Sequence, residues 1–525
     1  MTLKFVSNNR FLEVVSADER ELRQLYDITY AESYNHITKT TDSESFMHEN
    51  KYIPAGFWLK IMKLSEFGYA VKILNLDEFV DTKLSKEAFD LWITTQNFNF
   101  TPYDYQAEGA FLACRFPHCK NLYDTSAGKS FIFFMISRFL LQQRLKPGLK
   151  VLIVVPRTML VTQMPADFKE YLDDDYLICD GLMGGGWSHE NSNVVVANID
   201  SLRNKDQAYL EQFGAVLVDE GHKVKTNSMR KIMQRLFMSK NLSYINAMSG
   251  TFSDNKGDMS DLIETAMAGP TLVEYYVEDL RKYNSVVDCD IKCIRYVASG
   301  ELSSSYYNDE QVKDTKTRWR FEQAYVQSVR SYRTTIIDIS LQQKYNQVLL
   351  FNTKKFLYSM AAYAEELIKE RDLSKTIYII SGDVGKKERD DIKHLLENTE
   401  DCIVFAMYQI MDTGISIKNL GGIHLVDSTK SFVRVRQSIG RVLRLHKNIK
   451  LAYIFDHTMY FKKDRGAAGP RSNIYVKHQK ERIKIYKKRE FPVQVINVPL
   501  NDKSIDYSLT PDEFVLMPIK KNKKK

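Results

Sequence analysis

The chain has 525 residues, enough for three or four domains at about 100–200 residues each. Hydrophobic residues make up 44% and charged residues 27%, close to the globular average, which excludes a disordered or fibrous chain. The net charge of +8 is unevenly placed: residues 458–525 hold 17 basic and 7 acidic side chains and end in Lys520, Lys521, Lys523, Lys524 and Lys525. Such a stretch suits a polyanion such as nucleic acid, although a lone lysine run is more often a solvated tail. The six cysteines form no CxxC pair, and Cys289 and Cys293 have no second pair at zinc spacing, a usage that suits a reducing compartment. The first 13 residues lack the apolar core of a signal peptide, and the most apolar run, 131–141, carries Arg138 and is too short to span a bilayer. These features predict a soluble cytoplasmic protein that makes no membrane contact.

In chain order, residues 1–98 alternate short strand-like and helix-like patches with an acidic balance and read as a small α+β accessory domain. From 99 to 269 apolar runs at 121–123, 151–155, 194–197, 215–218 and 244–248 alternate with helix-like stretches. Short β-branched runs separated by helices predict buried parallel strands of an α/β domain. Gly269-Pro270 punctuates the chain, and a polar stretch follows at 299–314. A second series, at 347–351, 376–380, 402–406, 422–426 and 451–455, predicts a second α/β domain over 270–457. Residues 458–525 form a basic extension with a helix over 475–489, ended by Pro492.

Thr125-Ser126-Ala127-Gly128-Lys129-Ser130 follows an apolar run and opens a helix-like segment. Small residues let backbone N–H groups wrap a β-phosphate, Lys129 reaches the β- and γ-phosphates, and the Ser130 hydroxyl can ligate Mg²⁺. A helix N-terminus adds partial positive charge. The first glycine of this pattern is Tyr123 here. A turn of this composition can also occur without a ligand. Ninety residues beyond Lys129, the strand 215–218 ends in Asp219-Glu220-Gly221-His222. Asp219 can hold Mg²⁺, Glu220 can act as general base on the attacking water, and His222 can couple the pair to a neighbouring element. The plain alternative is a capped loop with surface acids. Further on, Arg441 and Arg444 stand three apart and share one helical face. If that face meets the phosphate loop, both stabilise charge on the γ-phosphate; otherwise it is a basic surface helix.

These three elements, in this order, resemble those of superfamily-two helicases. Gln106, in Pro102-Tyr103-Asp104-Tyr105-Gln106, stands where that family reads adenine. Pro156-Arg157-Thr158 with Gln163, and Ser201, stand on motifs that touch one strand's phosphates, with Asn198 where a threonine is usual. Ser249-Gly250-Thr251 resembles the coupling motif, Asp412-Thr413-Gly414 a motif contacting both ATP and strand, and Gln437 precedes the two arginines. Within the superfamily the likeness is to the phage-encoded UvsW type, through 124–130, 184–186, Ser381-Gly382-Asp383-Val384 with Arg389, 413–420 and 437–445. The resemblance implies two tandem RecA-like domains, ATP and Mg²⁺ as cofactors, and sequence-independent binding of single-stranded and branched DNA. It also implies 3′-to-5′ unwinding or branch migration, strand annealing, and replication or recombination proteins as partners. An RNA helicase, a restriction-type translocase and an ATP-switched annealing clamp remain open on the same scaffold.

Overall fold

The computed structural model describes the chain except residues 8, 9, 36–39, 125, 183–190, 254–256, 284, 285, 412–418, 430–438, 441, 442, 444, 445, 447, 448, 464–471 and 501–525. The chain divides into two compact units, Met1–Tyr276 and Val277–Lys525.

The first unit opens with β1 (Thr2–Val6), β2 (Phe11–Ser16), the hairpin β3 (Tyr30–Asn35) and β4 (Thr40–Ser45), then β5 (Tyr52–Pro54) and β6 (Lys72–Ile73). A small mixed sheet runs in the order β5-β2-β1-β6. Its elements are seated on the following domain. Lys60 pairs with Asp261 at 2.8 Å, Arg230 pairs with Glu44, and Arg10 donates to the Phe237 carbonyl. Gly56 is required here, because a Cβ would lie 1.9 Å from the Thr265 carbonyl oxygen.

The main sheet of this unit contains β7 (His118–Tyr123), β8 (Lys150–Val155), β9 (Cys179–Leu182), β10 (Val194–Asn198), β11 (Phe213–Asp219), β12 (Tyr244–Ser249) and β13 (Thr271–Tyr275). The order is β13-β7-β12-β11-β8-β10-β9, and every pairing is parallel. Val151–Val155 and Val194–Ala197 are buried throughout, as two-sided coverage by helices requires. Each fully buried Val or Ile contributes about 1.5–3 kcal/mol relative to exposure. The helix Lys129–Gln143 is buried continuously from Phe131 to Leu140, which explains its near-uniform apolar sequence. Arg138 within it pairs with Asp174 at 2.6 Å.

The second unit repeats the plan with β14 (Asp288–Ala298), β15 (Gln347–Phe351), β16 (Thr376–Ile380), β17 (Cys402–Met407), β18 (Gly422–Leu425), β19 (Leu451–Phe461) and β20 (Val493–Leu500). The order is β16-β17-β15-β18-β19-β14-β20, again all parallel. The polar stretch after Ala298 is helical, Glu301–Asn308 and Glu310–Lys313, and buries Tyr306 against Phe461 with ring centroids 4.2 Å apart. The basic helix runs Ile474–Lys488 and packs on β19. Among the described residues no helix is long and apolar enough to cross a membrane.

Candidate ATP-hydrolysis site

The phosphate loop joins the carboxyl end of β7 to the helix Lys129–Gln143. Tyr123, the residue at the motif's first glycine position, turns away from the loop. Its side chain is fully buried, its hydroxyl donates to the Tyr105 carbonyl at 3.0 Å, and its ring lies parallel to Tyr275 at 5.9 Å. Gly109 makes the room, since a Cβ there would sit 1.7 Å from the Tyr123 hydroxyl oxygen. Within the loop Ser126 and Gly128 adopt left-handed backbone, φ 74° and 73°. At Gly128 a Cβ would also lie 2.4 Å from Gln106 Nε2. Gln106 donates to the Ala127 carbonyl at 2.9 Å and accepts from the Tyr103 backbone N–H at 3.0 Å. Tyr105 adds a bond to the same Ala127 carbonyl at 3.1 Å. The adenine-type element and the phosphate loop are thus tied through one carbonyl. Lys129 Nζ donates to the Tyr123 carbonyl at 3.2 Å, and Thr125 lies outside the described residues.

Sheet register brings the acidic strand end to the same edge. Asp219 on β11 is level with Met248 on β12, and Ser249 on β12 is level with Leu122 on β7. In parallel sheets the crevice beyond the carboxyl ends of the strands is where ligands bind. Burial and the neighbouring Glu220 push Asp219 up to about 6 against the field of Lys129. Burial also pushes Glu220 upward, but the hydrogen bond from His222 and the field of Lys129 prevail and hold it down at about 2. Glu220 is therefore a carboxylate throughout the neutral range. It sits in left-handed backbone, φ 53°, an uncommon position for a non-glycine residue at the turn out of a strand.

His222 Nδ1 lies 3.2 Å from Glu220 Oε2, 2.8 Å from Ser249 Oγ and 3.4 Å from Thr251 Oγ1. The acidic pair and the Ser-Gly-Thr element are joined through one imidazole. Ser130 and Asp219 are hard oxygen donors, and a half-buried carboxylate whose proton affinity is raised gains most from a cation. That donor set fits Mg²⁺, which takes one or two protein oxygens and completes its shell with water and phosphate. Among the described residues no group of three or more His, Cys, Asp and Glu forms a metal cage.

The residues expected to touch nucleic acid follow adjacent strands at the same edge. Arg157 and Thr158 follow β8, and Asn198 ends β10. Asn198 bonds Thr158 Oγ1 at 3.1 Å and caps Ser201 N–H at 2.8 Å, so the substitution of Asn for Thr preserves a cap and links the two motifs. Gln163 is exposed on the helix Thr158–Tyr171. Gly414, Gln437, Arg441 and Arg444 lie outside the described residues. Sequence reasoning missed Tyr171, whose hydroxyl is 2.6 Å from Ser130 Oγ. It also missed Glu264, which accepts from Ser253 N–H just after the Ser-Gly-Thr element and lies 3.5 Å from Lys225. Tyr171 meets Ser130, and Glu264 meets Lys225, across long sequence separations. The only sequence signal was the apolar helix face Val161, Met164, Phe168 that Tyr171 extends.

Comparison with known proteins places these motifs in a family. Residues 122–254 match the family "Type III restriction enzyme, res subunit", and residues 331–446 match "Helicase conserved C-terminal domain". The ATP-dependent DNA helicase UvsW of Enterobacteria phage T4 is 29% identical over 435 residues, covering 78% of this chain and 80% of that protein. A crystal structure of T4 UvsW covers 95% of this chain and 99% of its own at 23% identity, with a TM-score of 0.45. The DNA-bound Type ISP restriction-modification enzyme LlaBIII shares the fold at a TM-score of 0.56 and 14% identity, over 85% of this chain and 36% of its own. With two all-parallel seven-stranded sheets in tandem, a phosphate loop, and an acidic strand end joined to its coupling element, the chain carries the two matched helicase domains and is similar to superfamily-two helicases, ATP-dependent enzymes built on paired RecA-like domains.

Proposed function

We propose that the chain is a DNA helicase or translocase that unwinds or branch-migrates forks, four-way junctions, displacement loops and R-loops. It moves 3′ to 5′ in phage recombination, repair and replication restart, in the host cytoplasm, with strand annealing as a further activity and replication or recombination proteins as partners. The name and extent of the T4 relative support the DNA substrate and the biological setting.

The observation that carries the reading is the junction at His222, which lies against Glu220 on one side and Ser249 and Thr251 on the other. A hydrolytic carboxylate joined to a coupling element is what a motor needs, because loss of the γ-phosphate must change contacts elsewhere. Gln106 would hold the base, residues 125–130 the phosphates, and Lys129 the β- and γ-oxygens. Ser130 and Asp219 would hold Mg²⁺, which when bound neutralises charge on the phosphates. Glu220, ionised at neutral pH, orients the attacking water and takes its proton. Arg441 and Arg444, with Gln437, would supply positive charge from the second domain. Arg157, Gln163, Ser201 and Gly414 would grip the sugar-phosphate chain, which carries no sequence information. The exposed cations Lys477, Lys480, Lys484, Lys487 and Lys488 and the terminal lysines would add affinity.

The test is steady-state ATP hydrolysis with no nucleic acid, single-stranded DNA, duplex DNA, a four-way junction and a matched RNA. Strong stimulation by single strands or the junction is expected. Stimulation by RNA alone would move the protein to the RNA helicases, and stimulation by duplex alone without unwinding would favour a restriction-type translocase. Hydrolysis indifferent to the panel would favour an annealing clamp. Removal of residues 520–525 is expected to weaken binding and reduce its salt dependence, since fewer counterions are released; an unchanged salt slope would make the lysines a solubility tail.

A further inference from the structure

We infer that Tyr171 is a positioning residue that ties the metal-ligating hydroxyl of Ser130 to the helix bearing the strand-contacting residues, so that strand binding and Mg²⁺ binding report to each other. The inference rests on the helicase reading given above.

The helix Thr158–Tyr171 has 14 residues, a length of about 20 Å at 1.5 Å per residue. Arg157 and Thr158 stand at its start, Gln163 is exposed on its outer side, and Tyr171 is its last residue. Its inner face, Val161, Met164 and Phe168, is buried. Pro165 cannot bond the Val161 carbonyl, and that carbonyl is covered instead by Gly181 of β9, where a Cβ would approach it to 2.6 Å. The helix is therefore seated against the sheet at the point where its own ladder is interrupted.

The Tyr171 ring is fixed on several sides. Its centroid lies 4.7 Å from that of Phe131, 5.7 Å from Phe134, 6.0 Å from Phe100 and 6.4 Å from Phe168. The backbone at this end is also held: Asn99 N–H donates to the Tyr171 carbonyl and Asn99 Nδ2 to the Glu170 carbonyl, both at 2.9 Å. A ring so held has little freedom to follow Ser130 if the two separate. The hydroxyl–hydroxyl distance is 2.6 Å. A serine oxygen that ligates a cation uses a lone pair for the metal and must give its hydrogen to another acceptor. Tyr171 Oη is that acceptor, and it leaves the Ser130 lone pairs directed elsewhere. Hydrogen bonds weaken steeply with distance and angle. A small shift of the helix on gripping a strand therefore changes how well Ser130 is oriented. This is linkage, so the effect must be reciprocal.

The test uses the full chain carrying Tyr171→Phe, which keeps the ring and removes only the hydroxyl. The readout is binding of a fluorescent ADP analogue, with Mg²⁺ titrated in the presence and absence of single-stranded DNA and no turnover. In the unsubstituted protein DNA is expected to lower the Mg²⁺ needed for half-saturation by about fivefold or more, and Mg²⁺ with nucleotide to tighten DNA by the same factor. In Tyr171→Phe both shifts should shrink to under about twofold. Asn99→Ala, which loosens the helix end without touching the hydroxyl, should shrink them part-way and serves if the first variant melts early. Full-sized shifts in both variants would overturn the inference. So would an unsubstituted protein that binds DNA and is stimulated by it yet shows no such shift. An unsubstituted protein that binds no DNA would instead overturn the helicase reading.

Discussion

In the first sheet β8, β10 and β11 are filled with Val, Leu and Ile, and the chemistry-bearing groups gather where those strands end. In the second sheet β18 and β19 carry His424, Asp456 and His457 into the interior, all fully buried. There Arg482 reaches down from the helix Ile474–Lys488 and pairs with both Asp456 oxygens at 2.6 and 2.8 Å, while Tyr486 donates to the same carboxylate at 2.8 Å. His424 and His457 meet at 3.0 Å, and His457 bonds Tyr296 at 2.8 Å. Like strand plans thus hold polar groups for opposite purposes. At the edge of the first sheet Asp219 and Glu220 are partly exposed and stand open to the proposed nucleotide. Inside the second sheet the charges meet one another and hold a helix in place.

The sharpest way to break this contrast is to alter the edge. Glu220→Gln is expected to bind ATP normally and lose about 10²–10⁴ in turnover, as removal of a general base does; near-wild-type single-turnover rates would remove Glu220 from that role. Lys129→Ala should lose about 10²–10³ in turnover while melting close to the unsubstituted protein, because it removes a charge stabiliser and no packing. DNA binding measured by anisotropy should survive, and its loss to the same degree would end the division of roles.

In the second unit the order of effects should reverse. Arg482→Met leaves the Asp456 carboxylate buried without its guanidinium, at an expected cost of about 3–5 kcal/mol. Hydrogen exchange should show the loss in Val277–Lys525, and replacing both partners by apolar residues should recover much of it. Intact stability in the single variant would mean that the pair does not hold the helix in place. The smallest effect concerns acid. His457 is held down at about 3 by burial and the field of Arg482, and His424 well below its ordinary value by burial and His457. Among the described residues the first unit has one such group, His118, at about 3 through burial and the field of Arg10. A neutral native histidine loses its advantage as pH falls below about 6.5, because only the unfolded chain takes up the proton, at up to about 1.4 kcal/mol per pH unit and group. Asp219 in one unit and Asp427 in the other, both raised to about 6, work in the opposite direction and balance. Between pH 6.5 and 5 the second unit should lose stability more steeply, and His457→Gln should flatten its slope.

The comparison also shows what the sequence made legible. Runs such as 151–155 and 194–197 announced buried strands because they lack charge altogether. β14 escaped because Asp288, Asp290, Lys292 and Arg295 interrupt it, although its buried residues alternate along the strand. β9 escaped because it is four residues long and contains Asp and Gly. Lys129, Ser130, Asp219 and Glu220 stood out in the sequence because the phosphate and metal chemistry proposed for them needs fixed residue types at short spacing. Tyr171 was not, because its partner lies 41 residues away and only the fold brings them together. The basic helix was legible as a helix, but its cations divide. Arg482 and Arg489 turn inward to Asp456 and Glu278, and five lysines stay exposed, Lys484 among them paired with Glu481 at 2.8 Å.

β14, the first strand of the second unit, lies between β19 and β20, the last two. A ribosome releases the first unit's final strand at Tyr275 and the second unit's final strand only at Leu500. At about 5–20 residues per second the interval is about 10–45 seconds. For most of it β14 exists with neither neighbour, since β19 is complete only at Phe461 and β20 only at Leu500, and pairings of such long sequence separation form slowly once they can form. The nascent chain therefore carries a finished first unit while the first strand of the second unit still waits for its two neighbours.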